Sequence, residues 1–342
     1  MTTSKFLDKS QFTFELPENL IAQTPSEKRG SSRLMVVHRG NGIEHKQFED
    51  IVNYINSGDL LIINDTKVTP CRLIGTDDNN NEIDILIVEK IGEDRYSILS
   101  KGGKTCKLRF NDELSATIIN GKEAQFYYKG DFREILWRIG FMPLPPYIKR
   151  KPNQSDKERY QTVYAHSEGS IAAPTAGMHF TDSILKTLTS KGVIIKTITL
   201  HVGIGTFRPI KVDNIDNHKM LEEYFEIKTD VINEIFDTKR RKGRVFLTGT
   251  TTTRAIEAYF SNSFNIIKKT DDLLIAKTDI FIKPGHKFFG ADCLLTNFHL
   301  PCSTPLLLIS AFIGVEKMLD SYKEAIDKGY RFFSYGDAMI IV

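Results

Sequence analysis

The sequence predicts an α/β protein in which a large α/β domain is interrupted by a small all-β barrel domain. Strand-like apolar runs alternate with helix-like patterns before residue 67 and again after residue 142, as in a sheet with crossover helices. Between them, residues 68–128 hold short β-type segments and turn signals without a helical period. We therefore predict a discontinuous α/β catalytic domain, 1–67 and 142–342, with an inserted β-barrel domain at 68–141.

The first α/β segment contains two strands and a helix. An apolar run at residues 34–37 predicts a short buried strand, and a second run at 59–66 leads into a polar turn. Between them, apolar residues recur at helical spacing from Phe48 to Ile55, and Gly58 marks the end of that helix.

The inserted segment has the texture of a small barrel. Isoleucines at 83, 85 and 87 alternate with other residues, and turn signals stand at 77–81, 101–103 and Asn120-Gly121. Short strands with regular turns favour a closed β-structure. The proline-rich residues 142–148 then predict a stiff, extended exit from the barrel.

The α/β rhythm resumes in the second half of the chain. Strands are predicted at 193–202, 244–248 and 294–296, and a last buried strand at the C-terminus. Helices are predicted at 231–241, 251–260 and 306–312.

Composition limits the kinds of protein this chain can be. A formal net charge of +3 over 342 residues is only mildly basic, so contact with nucleic acid must come from local patches. We find no apolar run of transmembrane length and no secretory signal, and the four cysteines form no C-x-x-C pair. The sequence thus predicts a cytoplasmic protein, and its histidine spacing predicts no metal site.

One stretch, residues 169–181, is poor in charge and rich in small residues. His179 is its one side chain that titrates near neutral pH, and Thr181 has the position of a helix N-cap. A loop that leads into a helix N-terminus suits a small polar or anionic ligand. The alternative is a tight loop packed on the core with a fully hydrogen-bonded histidine.

Three further loops follow predicted strands. Residues 249–254 would direct backbone N–H groups and hydroxyls at a ligand, with Arg254 to neutralise an anion; the alternative is a multiply capped helix. Residues 201–209 carry a G-x-G between His201 and Arg208, which is a weak signal by itself. His299, in residues 296–301, is either a site residue or a buried, hydrogen-bonded histidine.

A basic cluster is formed by Lys149, Arg150, Lys151 and Arg159. Most such clusters are solvated surfaces. If the substrate is a nucleic acid, however, they become candidate RNA-binding residues because they can bind phosphates.

Together the motifs resemble one family along the whole chain, the S-adenosylmethionine:tRNA ribosyltransferase-isomerases of queuosine biosynthesis. The motifs that carry this resemblance are residues 16–25, 64–66, 142–148, 160–164, 172–181, 200–209, 249–251, 296–301 and 330–334. The sequence departs from the family at Leu221, where a second histidine usually follows the one matched by His218. Cys302 and Pro305 also replace the usual lysine and aliphatic residue.

The resemblance implies the reaction. The ribosyl part of S-adenosylmethionine moves to the aminomethyl group of 7-aminomethyl-7-deazaguanine in a tRNA anticodon and isomerises, giving epoxyqueuosine. Adenine and methionine leave. S-adenosylmethionine would be a consumed co-substrate and not a cofactor, tRNA the partner, and the protein a monomer.

Histidines suit the proton transfers, because the sulfonium acidifies the neighbouring C5′ hydrogens and adenine departs as an anion. We name His179 first and His201 second as catalytic residues. Arg208 and Arg254 are the candidates for the methionine carboxylate. The expected substrate-binding residues are Pro174, Thr175, Ala176, Gly177, Gly203, Gly205, Thr206, Arg208, Gly249, Thr250, Thr251, Arg254, Asn297 and His299.

Two other classes stay open at this point. One is a non-catalytic RNA-binding protein, in which the clustered histidines, arginines and glycine-rich loops would be surplus. The other is an S-adenosylmethionine-dependent RNA methyltransferase, against which the missing glycine-rich fingerprint after the first strand counts.

Overall fold

The computed structural model describes residues 7–40, 42–100, 105–203, 205 and 210–342. The strands in these ranges are β1 (Arg33–Val37), β2 (Ile43–Gln47), β3 (Leu60–Asn64), β4 (Thr66–Val68), β5 (Arg72–Thr76), β6 (Glu82–Gly92), β7 (Arg95–Ser100), β8 (Cys106–Arg109), β9 (Leu114–Ile119), β10 (Glu123–Tyr128), β11 (Ser167–Ser170), β12 (Ile194–Leu200), β13 (Glu223–Lys228), β14 (Val245–Thr248), β15 (Asn265–Lys269), β16 (Leu273–Thr278), β17 (Cys293–Asn297) and β18 (Ala338–Ile341). The α-helices are α1 (Phe132–Ile139), α2 (Asp156–Arg159), α3 (Asp182–Ser190), α4 (Thr229–Arg240), α5 (Gly249–Phe260), α6 (Thr304–Ile313) and α7 (Val315–Asp327).

A mixed sheet of ten strands forms the larger part of the described structure. Its order is β15-β16-β13-β12-β3-β14-β17-β18-β1-β2. At its centre β12, β3, β14 and β17 run parallel to one another. Every residue of β3 is buried, as expected for a central parallel strand covered on both faces.

Two apolar clusters cover the two faces of this sheet. Alternation along β3 sends Leu60 and Ile62 into one cluster, which also takes up the apolar faces of α4, α5, α6 and α7. Leu61 and Ile63 enter the other, where they meet α3 and the 3-10 helix Phe48–Asn53. Burial on both sides fixes the position of the strand ends, at which the predicted loops begin.

The inserted segment forms a closed antiparallel barrel with the order β10-β7-β6-β5-β8-β9. Strand β9 buries every second residue, beginning at Leu114, and so contributes one face to the barrel core. Asn120 and Gly121 both have positive φ, as a tight turn between β9 and β10 requires. The predicted fold class, α/β with an all-β barrel, is confirmed.

Several elements differ from the sequence expectations. The helix predicted from Phe48 is a 3-10 helix that ends at Asn53, and α1 packs Ile135 and Leu136 on the barrel where no helix was predicted. Strand β13 and helix α7 were also missed. The barrel strands lie inside the interval 68–141, and the exact domain boundaries stay a prediction.

The described residues contain no helix long and apolar enough to cross a membrane. Cys71, Cys106, Cys293 and Cys302 are free thiols.

Candidate active site

A groove lies where the parallel strands end. Because β12, β14 and β17 run in the same direction, the residues after their carboxyl ends meet at one edge of the sheet. The groove has a volume of about 850 Å³. It is lined by Tyr147, Ala172, Ala173, Pro174, Thr175, Ala176, Val202, Gly249, Thr250, Thr251, Thr296, Asn297, His299, Leu300, Pro301, Ser303, Pro305, Phe333 and Ser334.

Helix α5 begins in the wall of this groove. Gly249 has φ +87°, which favours glycine, and it lines the groove with Thr250 and Thr251. Thr248 makes no side-chain cap, its buried Oγ1 has no hydrogen-bond partner in the described ranges, and the first turn holds no acidic residue. The helix therefore offers uncapped N–H groups and its positive dipole end to a ligand, an arrangement that suits an anion.

Asn64, at the end of β3, fixes the geometry between β12 and α5. Its fully buried amide accepts from the N–H of Leu200 and donates to the carbonyl of Leu200, both at 3.0 Å. It also reaches Thr251 Oγ1 at 3.5 Å. The sequence placed Asn64 in a motif but gave it no role, because nothing local shows that β12 and α5 flank β3.

The loop at 169–181 contributes a neighbouring part of the wall, since Ala176 lies next to Gly249. Pro174, Thr175 and Ala176 line the groove as expected, whereas Gly177 packs under Tyr164, where a Cβ would lie 2.1 Å from the hydroxyl oxygen. Thr181 caps α3 by accepting from the N–H of Ile184 at 3.2 Å, which confirms the predicted N-cap.

His179 lies behind the groove and not in it. The ring is buried and stacks on Phe48 at a centroid distance of 5.1 Å. Nδ1 shares a hydrogen bond with Ser32 Oγ at 2.7 Å, and Nε2 accepts from the side-chain amide of Asn297 at 3.1 Å. Burial, reinforced by the charge of Arg331, lowers the pKa of His179 to about 4. The ring is therefore neutral, but both nitrogens are occupied.

Asn297 connects His179 to the groove. Its Nδ2 also donates to the carbonyl of Phe333 at 3.0 Å, so the amide is held from two sides. Its buried Oδ1 faces no hydrogen-bond partner among the residues described. A buried acceptor of this kind in a groove wall indicates a ligand that donates to it.

His201 directly follows strand β12 and does not line the groove. Val202 lines the groove, and since neighbouring residues in extended backbone point to opposite faces, His201 points away from it. Its ring stacks on Tyr224 at 5.3 Å, and Nδ1 shares a hydrogen bond with Thr66 Oγ1 at 2.7 Å. Burial lowers the pKa of His201. Within the described ranges Nε2 has no hydrogen-bond partner.

His299 is the histidine that the structure places in the groove wall. Its Nε2 shares a hydrogen bond with Thr296 Oγ1 at 2.8 Å. Burial lowers the pKa of His299 to about 3, so the ring stays neutral. A neutral imidazole can donate a hydrogen bond to an atom that gains negative charge.

Arg254 belongs to a smaller cavity, of about 330 Å³, that shares Thr250 and Thr251 with the groove. Its guanidinium forms an ion pair with Glu223 and donates through Nε to the carbonyl of Ile280 at 3.2 Å. Nη2 is buried and has no hydrogen-bond partner in the part of the chain described. Arg254 therefore lies close to the start of α5 but one layer behind the groove.

The glycine-rich loop after β12 is the least described part of the predicted site. Gly203 and Gly205 do not line the groove, and Thr206 and Arg208 lie outside the described residues. Leu221, where the family usually has histidine, packs beside Gly205: its Cδ1 lies 3.0 Å from the point where a Cβ on Gly205 would stand.

Two aromatic residues of the groove were not predicted as site residues. Tyr147 and Phe333 stack at a centroid distance of 4.5 Å, and the Tyr147 hydroxyl shares a hydrogen bond with Ser334 Oγ at 2.6 Å. Stacked rings in a groove wall suit a planar heterocycle. Both residues stand in motifs of the sequence, but only the fold brings them together.

The predicted RNA-binding cluster divides into two kinds of residue. Lys149 and Lys151 are 69% and 82% exposed, and their ammonium groups pair with the exposed carboxylates of Glu18 and Glu82. Arg150 instead forms a two-point ion pair with Asp156, whose side chain is 1% exposed. Arg159 donates to backbone carbonyls of the N-terminal segment. The described residues contain no group of three or more His, Cys, Asp or Glu that could hold a metal ion.

An α/β sheet with an inserted barrel, and a mostly apolar groove with a few polar groups at the carboxyl ends of its parallel strands, define a ligand-binding protein of the α/β class. Comparison with known proteins specifies this further. Residues 9–341 match the family described as "Queuosine biosynthesis protein". The chain therefore belongs to this family, which confirms the resemblance seen in its motifs.

Relatives that carry a functional name are similar over nearly their full length. The chain is 48% identical to the S-adenosylmethionine:tRNA ribosyltransferase-isomerase of Thermodesulfovibrio yellowstonii, over 97% of this chain and 99% of the relative. It is 46% identical to the one of Thermoanaerobacter sp., over 98% and 100%. The crystal structure of an S-adenosylmethionine tRNA ribosyltransferase from Thermotoga maritima matches with a TM-score of 0.56 and 31% identity, over 97% of this chain and 100% of that one.

Proposed function

We propose that this chain is an S-adenosylmethionine:tRNA ribosyltransferase-isomerase. It transfers the ribosyl part of S-adenosylmethionine to 7-aminomethyl-7-deazaguanine in tRNA and isomerises it, releasing adenine and methionine. Full-length similarity to relatives of that name supports the activity. The other two classes, an RNA-binding protein and an RNA methyltransferase, are favoured by no feature of the groove.

The observation that carries this proposal is a set of buried polar groups left open around one groove. The N-terminus of α5 has no side-chain cap, and Asn297 Oδ1 and Arg254 Nη2 have no partner among the described residues. Such groups cost free energy unless a ligand satisfies them. A donor with a carboxylate, an ammonium group and a purine offers matching groups.

The groove suggests where each part of the donor binds. The methionine carboxylate fits the N-terminus of α5, with Arg254 behind it, because uncapped N–H groups and the helix dipole favour an anion. A purine or deazapurine ring fits against Tyr147 and Phe333. Neutral His299 is placed to donate a hydrogen bond to adenine as it leaves with negative charge.

His179 affects the groove through its hydrogen bond with Asn297. Both of its ring nitrogens are occupied, so it has no lone pair to offer a C5′ hydrogen in this arrangement. Its contact instead fixes the amide of Asn297 in the groove wall. We propose that His179 is a positioning residue, which leaves His299 as the histidine that lines the groove.

The experiment that tests the function is an assay for released adenine. Purified protein is incubated with S-adenosylmethionine and a tRNA or anticodon stem-loop carrying 7-aminomethyl-7-deazaguanine. The expected products are adenine and methionine in equal amounts with the modified tRNA. Formation of S-adenosylhomocysteine would instead establish a methyltransferase, and tRNA binding without either product would establish a binding protein.

Placement of the carboxylate at α5 makes a separate prediction. A donor analogue without the carboxylate should bind at least about tenfold more weakly than S-adenosylmethionine, since charged hydrogen bonds contribute about 1.5–3 kcal/mol. Thr250→Asp puts a negative charge at the helix start and should abolish this preference. Calorimetry with both ligands measures it, and Thr187→Asp on α3, at an exposed position, is the control. An unchanged preference in Thr250→Asp would place the carboxylate elsewhere.

We also propose that tRNA is the macromolecular partner, that S-adenosylmethionine is consumed and not retained, and that the enzyme works as a cytoplasmic monomer without a metal. The domain boundaries at 68–141 belong to the same proposal. Measuring mass in solution and activity in the presence of a chelator tests the oligomeric state and the metal independence.

A further inference from the structure

Next to the groove, three arginine side chains meet at a second cleft. The cleft has a volume of about 310 Å³ and shares Ser334 with the groove. Arg29 and Arg159 line it, and Arg331 reaches it through a hydrogen bond to the carbonyl of Tyr335, another lining residue. The two cavities are thus parts of one continuous surface.

Backbone carbonyls, and not carboxylates, hold the three guanidinium groups. The accepting carbonyls are those of Glu158, Gln161 and Met178 for Arg29, of Ser26 and Glu27 for Arg159, and of Thr24 and Tyr335 for Arg331. None of the three forms an ion pair with a carboxylate in the described ranges. The carboxylates that act on them at longer range are those of Glu158, Asp182 and Asp337. The bonds to carbonyls orient the side chains without neutralising them.

The three positive charges are close enough to affect one another and their neighbours. Burial and the charge of Arg159 lower the pKa of Arg29. The charges of Arg331 and Arg29 both act on His179, which also lines the cleft. Holding like charges together at a partly buried site costs free energy that a bound anion would offset. Each guanidinium also keeps an Nε–H with no acceptor among the described residues.

We propose that this arginine cleft binds a backbone phosphate of the tRNA, next to the nucleotide whose base enters the groove. This rests on the proposed function, which makes tRNA the second substrate. A nucleotide extruded into the groove brings its own phosphodiester groups to the groove rim. Arginine is suited to that contact because its planar guanidinium can bind two phosphate oxygens at once.

The test compares charge removal with charge retention. Arg159→Gln and Arg331→Gln should each weaken binding of the anticodon stem-loop by about tenfold. Each should also reduce the slope of log affinity against log salt by about 0.7. The lysine variants at the same positions keep the charge and should restore most of the slope. Affinity for S-adenosylmethionine, which does not occupy the cleft, should stay within about twofold of the original protein.

Arg240→Gln is the matched control. Arg240 is 79% exposed at the end of α4, just before β14 begins, and so lies at the end of the sheet away from the groove. Thermal unfolding of every variant identifies any loss of fold. If the glutamine variants match Arg240→Gln in affinity and salt slope, the cleft binds no phosphate. Stem-loop binding is measured without turnover, so the result is independent of whether adenine release succeeds. If the protein releases no adenine but its glutamine variants bind the stem-loop more weakly, the phosphate site is supported and the proposed reaction is contradicted.

Discussion

Replacing His179 with alanine is expected to lower turnover by roughly two to four orders of magnitude, the range by which a misplaced or missing proton-transfer system slows an enzyme. The substitution removes one of the two acceptors of the Asn297 amide and leaves the carbonyl of Phe333 as the other, so the side chain is held less firmly in the groove wall. Affinity for S-adenosylmethionine should fall by less than about tenfold, because His179 does not line the groove and Asn297 offers the donor one hydrogen bond. Single-turnover adenine release separates the rate from binding.

His179→Gln distinguishes the two roles that this residue can have. A glutamine oxygen can accept from Asn297 and its amide can donate to Ser32, so a positioning role predicts recovery to within about tenfold of the original rate. A general base cannot be replaced in this way. Recovery by glutamine, together with an equal loss in Asn297→Ala and no further loss in the double variant, supports positioning. Loss of C5′ hydrogen exchange with solvent in His179→Gln would identify His179 as the base.

Arg150→Met is expected to destabilise the protein by about 3–5 kcal/mol, because it leaves a buried carboxylate without its counterion. Asp156 is fully buried and accepts from Arg150 at 2.6 and 2.8 Å, from the N–H of Asn153 and from the hydroxyl of Tyr335. Lys149→Met and Lys151→Met, at exposed positions, should shift stability by less than about 0.5 kcal/mol. Urea unfolding of the three variants measures the difference.

The same ion pair has a defined pH dependence. Burial raises the pKa of Asp156, but hydrogen bonds from Arg150 and its neighbours outweigh that effect and hold it below its usual value. Because the pKa is lower in the native state, the ionised carboxylate stabilises the fold at pH values above its unfolded pKa of about 4. This stabilisation is lost as the pH falls through the native pKa. Stability should therefore decline below about pH 4, and Arg150→Met should lose part of that dependence. Equal stability of all three variants would show that Arg150 is an ordinary surface arginine.

RNA affinity provides a second way to distinguish the exposed lysines of the basic cluster from Arg150. If Lys149 and Lys151 bind phosphate, their methionine variants should flatten the salt dependence of tRNA binding while unfolding stays unchanged. An effect of Arg150→Met on RNA would instead follow the loss of folded protein. The sequence showed four neighbouring cations, and only burial of Asp156 separates the structural arginine from the exposed lysines.

The sequence by itself determined the local features of this protein. Uninterrupted apolar runs predicted the buried strands of the sheet, the Asn-Gly turn and alternation predicted the barrel, and Thr181 predicted a helix cap, because each depends on neighbours in the chain. Its motifs also established the family. Strand β13 escaped prediction because three of its six residues, Glu223, Glu226 and Lys228, are charged and it has no continuous apolar run.

Only the tertiary structure decided which of the predicted residues share a site. His179, His201 and His299 all stand in loops next to predicted strands or helices, yet one lies behind Asn297, one points away from the groove just after β12 and one lies in the groove wall. The stacked pair Tyr147 and Phe333 and the arginine cleft join residues far apart in the chain. The physical reason is that strand order and burial set these distances, and both depend on contacts between distant parts of the chain that no local pattern records.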